Sequence, residues 1–334
     1  PGNYGLWFGE RFEHHALIGP MVSSGEHHVT RRVLKASAPL PVEAFEAQWT
    51  GHIQSGPADI DPEWEDVLVP LRDGGSAPAW LFPGPSADAP WVIHVQGIRT
   101  SRLVTLRSVH VAQDVGLTSL AITYRGTGDG PPASASTLGQ REWTDLADAV
   151  KYARSCGATA VYVVAWSMGA GLALELLRHD PVAFDRLALI APATDWRAIV
   201  EHGVKRAGLP DFFTSAVTAA LGSRTAIRLI RLPEPLDFER LIWGPTTPVG
   251  IPTILIHSRG DQEIPFELSR KFTSAHPDAE LVETAAAPHG WEANVDSEGF
   301  ASALVSWLET SHAPNAQQPF RTVDRRSSWK PPRI

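Results

Sequence analysis

The chain has 334 residues, a formal net charge of −8 and a sequence pI near 5.9, so it is long enough for one α/β domain with additions and too acidic to favour a nucleic-acid partner. Its single cysteine, Cys156, excludes an internal disulfide framework and a cysteine-based metal site. No apolar run reaches the ~18 residues that a membrane span requires.

Residues 1–60 read as a helix-leaning extension, with Trp7, Phe8, Phe12, Phe45 and Trp49 available for packing. A hairpin follows, 66–71 and 77–82 around Arg72-Asp73-Gly74-Gly75. Strand-like runs then alternate with helical periods. The strands are expected at 91–96, 118–124, 160–165, 187–191, 253–258 and 280–284. A helix at 140–155 places Trp143, Leu146, Ala147, Val150 and Ala153 on one face and ends at Gly157. A last helix at 297–310 carries Phe300, Leu304, Trp307 and Leu308. Repeated strand–helix units imply a mostly parallel central sheet flanked by helices, with a core at 61–194 and 246–310. Residues 195–245 interrupt the alternation with helical segments, and a connection of that length exceeds an ordinary loop. The Arg-, Ser- and Pro-containing tail, 311–334, reads as flexible or pinned to the surface.

The most informative segment is Val163-Val164-Ala165-Trp166-Ser167-Met168-Gly169-Ala170-Gly171. An apolar run ends at a serine, and a glycine-rich stretch follows. This predicts a strand turning sharply into a helix, with the serine hydroxyl at the apex beside the helix N-terminus. Ala165 stands where the Gly-x-Ser-x-Gly pattern has its first glycine, the smallest departure available. A serine hydroxyl needs a base to take its proton and an acid to orient that base. Asp261 lies just past the run Thr253-Ile254-Leu255-Ile256-His257-Ser258, and His289 lies in Ala287-Pro288-His289-Gly290-Trp291. Both fall in loops after strands, in the chain order Ser, Asp, His.

With these three residues the chain resembles an α/β-hydrolase-fold serine hydrolase over roughly residues 64–310. The resemblance implies an oxyanion hole made by the N–H groups of Ile98 and Met168. Ile98 follows Gln96-Gly97, where the family often carries His-Gly. It also implies a helical cap at 195–245 over the site. Trp166 and Trp196 are candidates to line the substrate pocket, and Trp291 and Asn294 to brace the histidine loop. The expected substrate is a small acyl compound, a carboxylic ester or lactone. A carbon–carbon bond hydrolase, a peptidase or an acyltransferase could use the same three residues. The nucleophile turn also resembles prolyl-oligopeptidase-like enzymes, but sixty N-terminal residues cannot form their propeller. A reading of another class is a ligand-binding receptor that keeps the fold with little turnover.

No cofactor is expected. The glycines of Tyr124-Arg125-Gly126-Thr127-Gly128-Asp129-Gly130 lack the Lys-Ser/Thr pair of a phosphate loop, and Arg125 and Asp129 read as locks between loops. No metal is expected either, since His14-His15 and His27-His28 lack a companion carboxylate cluster. The start shows no basic-then-apolar signal pattern, which leads to the expectation of a cytoplasmic protein away from membranes, with a homodimer allowed.

Overall fold

The computed structural model describes residues 1–86, 89–244 and 249–310. The tail expected at 311–334 lies outside these described residues. Four strands open the chain: β1 (Tyr4–Phe8), β2 (His14–Ser24), β3 (Val29–Ala36) and β4 (Ala47–Thr50). They form an antiparallel sheet in the order β3-β2-β1-β4. The helical extension expected at 1–60 is therefore corrected to a sheet. Aromatic residues that suggested helix packing serve strand pairing instead. Tyr4 pairs with Ile18 and Phe8 with His14, and Phe8, Ala16 and Ile18 form a small core of their own. The β-branched and aromatic composition favours a pleated surface once a partner strand is present.

The second sheet holds β5 (Glu65–Pro70), β6 (Ser76–Phe82), β7 (Trp91–Val95), β8 (Thr118–Ile122), β9 (Val161–Trp166), β10 (Arg186–Ile190), β11 (Thr253–Ser258) and β12 (Ala279–Thr284). Its order is β12-β11-β10-β9-β7-β8-β6-β5, with β5, β6 and β8 paired antiparallel and the rest parallel. The helices are α1 (Leu106–Asp114), α2 (Trp143–Ser155), α3 (Met168–His179), α4 (Trp196–Arg206), α5 (Phe212–Leu221), α6 (Ala226–Ile230), α7 (Phe266–Ala275), α8 (Glu292–Val295) and α9 (Ser297–Thr310). None of them is long and apolar enough to cross a membrane.

Strand parity assigns each core side chain to a face. Val161, Val163 and Ala165 of β9 join Leu146 of α2 and Leu172 of α3 in one apolar cluster. Tyr162, Val164 and Trp166 join Val111 of α1 and Phe300 and Leu304 of α9 in the other. Both faces are covered, which is why these strands read as continuous apolar runs rather than alternating ones.

The insertion expected at 195–245 does carry helices, α4 to α6, between β10 and β11. Polar and apolar contacts tie it to the core, among them the following. Arg240 Nε donates to the buried Glu175 of α3 at 2.6 Å, and the Asp237 N–H donates to Gln140 Oε1 at 2.9 Å. Trp243 lies against Gly171, where an added Cβ would meet its ring at 2.9 Å. Other loops are locked by ion pairs. Arg125 binds Asp145 and, at 3.0 Å, Asp73, while Arg102 binds Asp129 at 2.7 Å.

A close backbone approach lies where α3 starts. A Cβ on Gly169 would come within 2.8 Å of the carbonyl oxygens of both Val95 and Gln96. These are main-chain atoms that cannot rotate away. Gly169→Ala is expected to lower stability by about 1–3 kcal/mol and to widen the gap between β7 and α3. A thermal melt compared with wild type measures the first effect.

Candidate active site

Ser167 sits between β9 and α3 with φ 52° and ψ −115°, a conformation that a non-glycine residue holds only when its surroundings enforce it. The Ser167 N–H donates to Ile190 O at 2.9 Å, and Ser167 O accepts from the N–H groups of Ala170 and Ala193, each at 3.1 Å. The strained residue is thus held on both sides, and its hydroxyl projects at the C-terminal edge of the sheet. Ala165 is fully buried between Val95 of β7 and Leu189 of β10, so the methyl that replaces the first glycine fits the strand.

His289 Nε2 lies 2.8 Å from Ser167 Oγ, and His289 Nδ1 lies 2.6 Å from Asp261 Oδ2. The three residues named from sequence therefore meet in one hydrogen-bonded line. Asp261 has no exposed side-chain surface. Its Oδ1 accepts from the N–H groups of Glu263 at 2.8 Å and Ile264 at 2.9 Å. Its Oδ2 accepts from His289 and, at 3.0 Å, from His257 Nε2. His257 in turn accepts a hydrogen bond at Nδ1 from Ser269 Oγ at 2.8 Å, which fits the tautomer protonated at Nε2. Burial works against the Asp261 charge, but the bonds from His257, His289 and Ile264 outweigh it and hold the carboxyl well below the usual carboxylate range. For His289, burial favours the neutral ring, yet the hydrogen bond and charge of Asp261 raise its proton affinity above the ordinary histidine value.

Gly97 follows β7 and approaches the serine closely enough that an added Cβ would lie 3.1 Å from Ser167 Cβ. The buried Gln96, in place of the family's histidine, donates from Nε2 to Thr127 Oγ1 at 3.0 Å. Tyr124 Oη donates to Gly97 O at 2.8 Å. The loop thus keeps two supports with a glutamine at this position. Met168 N–H opens α3, and Ile98 N–H follows the glycine turn; neither donates to an acceptor among the described residues.

Trp166 is corrected from pocket residue to core residue. It is 3% exposed, stacks on Phe300 at 5.7 Å between ring centres, and lies under the Arg107 guanidinium at 4.4 Å. Its parity on β9 sends it to the α1/α9 face. Trp196 opens α4 and is half-buried at the seam between two apolar clusters, and its Nε1 has no acceptor among the described residues. A cleft of about 530 Å³ lies within the insertion, lined by residues such as Arg197, Thr218, Leu236 and Phe238. Ser167, Asp261 and His289 do not line it.

The histidine loop is tied to the N-terminal sheet. Asn294 Nδ2 donates to Asn3 O at 2.7 Å and to Gly51 O at 3.0 Å, and the Asn3 N–H donates to Asn294 O at 2.9 Å. Arg107 of α1, buried by its neighbours, donates to Gly290 O at 2.7 Å and to Asn294 Oδ1 at 2.5 Å. Tyr4 packs on Trp291 with ring centres 5.2 Å apart. Trp291 and Asn294 brace the loop as their positions suggested. His257 and Arg107 were missed from sequence. The only signal for His257 was a histidine inside an apolar strand four residues before Asp261.

Among the described residues, one group of potential metal-binding side chains comes together: His257, Asp261 and Glu292. It does not offer a metal site. Both His257 nitrogens and all four acceptor positions of Asp261 are already engaged, which leaves Glu292 alone.

The strand order and the strained serine between strand and helix define a hydrolase-type α/β fold. The model of the alpha/beta hydrolase family matches residues 101–325, and the chain belongs to that family. Residues 1–50 match a separate domain of unknown function (DUF8805). An esterase of Pyrococcus furiosus superposes with a TM-score of 0.60 at 21% identity, covering 77% of this chain and 96% of that one. A Butyrivibrio proteoclasticus protein with bound ferulic acid gives 0.55 at 16%, covering 74% and 100%. A thermophilic esterase from Thermogutta terrifontis gives 0.50 at 18%, covering 75% and 100%. No curated protein matches the chain.

Asn294→Ala would leave Arg107 and two N-terminal carbonyls short of a partner. It is expected to destabilise the protein by about 2–4 kcal/mol and to lower kcat by loosening His289, as read by thermal melting and by turnover below the melt. A second outcome concerns acid. Burial lowers the proton affinity of His52 to a pKa of about 4 and of His94 to about 3. The unfolded chain protonates histidine near ~6.5, so between these values it binds more protons than the folded chain. Stability supplied by the neutral histidines is present above about pH 6.5 and is lost as pH falls toward 4. Glu292 and His289, with raised affinities, work the other way in this window, but His15, whose affinity burial also lowers, joins His52 and His94 against them. Melting temperature should therefore fall on acidification from pH 6.5 to 4.

Proposed function

We propose that the protein is a serine hydrolase that cleaves a carboxylic ester or lactone through an acyl-enzyme on Ser167. The reading rests on the continuous hydrogen-bonded line from Asp261 through His289 to Ser167. His289 Nε2 takes the hydroxyl proton as Ser167 Oγ attacks the carbonyl carbon, and Asp261 holds the imidazole by Nδ1–H and stabilises the imidazolium. The N–H groups of Ile98 and Met168 receive the oxyanion, where charge appears only in the transition state. His289 then protonates the leaving alcohol, and water activated by the same ring releases the acid.

The ester preference is supported by the esterases among the similar folds. Helices α4 to α6 fall where a cap sits in this family. Trp196 begins α4 three residues after Ala193, whose N–H binds Ser167 O, and is proposed to face substrate.

A series of p-nitrophenyl esters from short to long acyl chains tests the reading. Wild type should show hydrolysis with a chain-length optimum, and Ser167→Ala should lose ~10⁴-fold or more in kcat. A fluorophosphonate should label wild type and not the variant. Equal turnover in the two proteins would sink the assignment.

A further inference from the structure

Glu292, at the start of α8, is three residues past His289. It is fully buried, and both of its carboxylate oxygens lack a hydrogen-bond partner among the described residues. Burial of an unpartnered carboxyl is unfavourable, and such a group in a native fold calls for a reason. Its surroundings are specific. One of its oxygens lies within 4.8 Å of ligand atoms of both His257 and Asp261. The charged and titratable groups facing it are His289 on its own loop, His257 and Asp261 from β11 and the loop after it, and Arg107 from α1. Arg107 directs its hydrogen bonds to Val104 O, Gly290 O and Asn294 Oδ1, not to Glu292. Helix α9 meets this turn through Phe300, in the apolar cluster that holds Ala293.

We propose that Glu292 is a positioning residue that acts through His289, as a second buried carboxyl whose ionised form favours the imidazolium created when Ser167 gives up its proton. The proposal rests on the serine-hydrolase reading above. Asp261 cannot take on more of this task, because its four acceptor positions are filled whatever the state of His289. Two further carboxyls act on the ring, the exposed Glu263 and the buried Glu292, and of these Glu292 is the one shielded from solvent. The influence is mutual: a protonated His289 favours the ionised Glu292, and an ionised Glu292 raises the proton affinity of His289. Burial, its largest influence, raises the Glu292 pKa to about 7. The group therefore changes charge in the range where a hydrolase works. Below that range it is a neutral acid and His289 lacks its help. Above it, the negative charge is in place when the imidazolium forms.

The test compares wild type, Glu292→Gln and Glu292→Met across pH 5 to 9, with Ser167→Ala as the reference. Glutamine keeps the shape and removes the charge. Methionine replaces an orphaned carboxyl by an apolar chain of similar length and folds without needing a partner. In both variants the acid limb of kcat/KM for a p-nitrophenyl ester should move to lower pH by on the order of one unit, the scale of a neighbouring charge. The plateau above pH 8 should fall on the order of tenfold, the same shift in rate terms. A uniform loss at every pH with an unmoved acid limb would mean a structural role only, and would overturn the proposal. The His289 imidazole resonance, identified by its absence in His289→Asn, is titrated in parallel in the Ser167→Ala background. A downward shift with Glu292→Gln supports the coupling even if no ester is turned over, and an unchanged titration overturns it. Loss of Ser167-dependent turnover in wild type would instead remove the serine-hydrolase reading, so the two failures are separable.

Discussion

The buried charge of Asp261 is the constraint around which the site is arranged. A carboxylate without exposed surface stays ionised only if its lone pairs are filled, and here two backbone N–H groups and two imidazoles fill them. The N–H groups come from the turn that leads into α7, so the turn geometry and the charge are one requirement. His257 reaches in from the end of β11, and its other nitrogen is fixed by Ser269 of α7. His289 completes the set from a loop that follows β12. Because every acceptor position is used, the Asp261 side chain has no freedom to rotate without losing a bond. His289 inherits that rigidity, and Ser167 meets a base whose direction is set.

Much of this was legible in residue order. Strand–helix alternation from 66 onward, the serine between an apolar run and a glycine-rich start, and the Ser, Asp, His sequence all survive into three dimensions. These features are local, and each is enforced by backbone geometry that a short window of sequence encodes. The misreading of residues 1–60 has its cause in non-local pairing. β1 to β4 are strands because Tyr4 meets Ile18 and Leu6 meets Trp49, and no window of ten residues contains those partners. Trp166 is a different case. Parity along β9 assigns it to the same face as Tyr162 and Val164, so its core position could have been deduced from the strand alone. Adjacency to the serine in sequence points to the pocket, while period two along the strand points to the core, and the strand period prevails. His257 left only the spacing of four residues to Asp261 as a signal, and Arg107 left none, since Gly290 and Asn294 are remote from it in sequence.

The site also departs from the family's usual pattern without loss of support. Gln96 stands where histidine is common, and its amide reaches Thr127, while Tyr124 holds the next carbonyl. The position anchors a turn that passes close to the serine, and more than one side chain can do that. Ala165 makes the same point on the other flank. A methyl fits between Val95 and Leu189, whereas a Cβ at Gly169 would meet two carbonyl oxygens. The two glycines of the pattern are thus unequal, and only the second is demanded by close contact in this chain.

Asn294 joins the N-terminal sheet to the histidine loop through the carbonyl oxygens of Asn3 and Gly51, not through their side chains. A link written in main-chain atoms is indifferent to most substitutions along the sheet but sensitive to its length. Exposed side chains of β3 and of residues 20–24 in β2 can drift freely, while the spacing that delivers residues 3 and 51 to one asparagine must be kept. Inserting a single residue between β1 and that contact would slip the register and withdraw a carbonyl, whereas exchanging many residues would leave it in place. Relatives of this protein should then show N-terminal segments of divergent composition and nearly constant length.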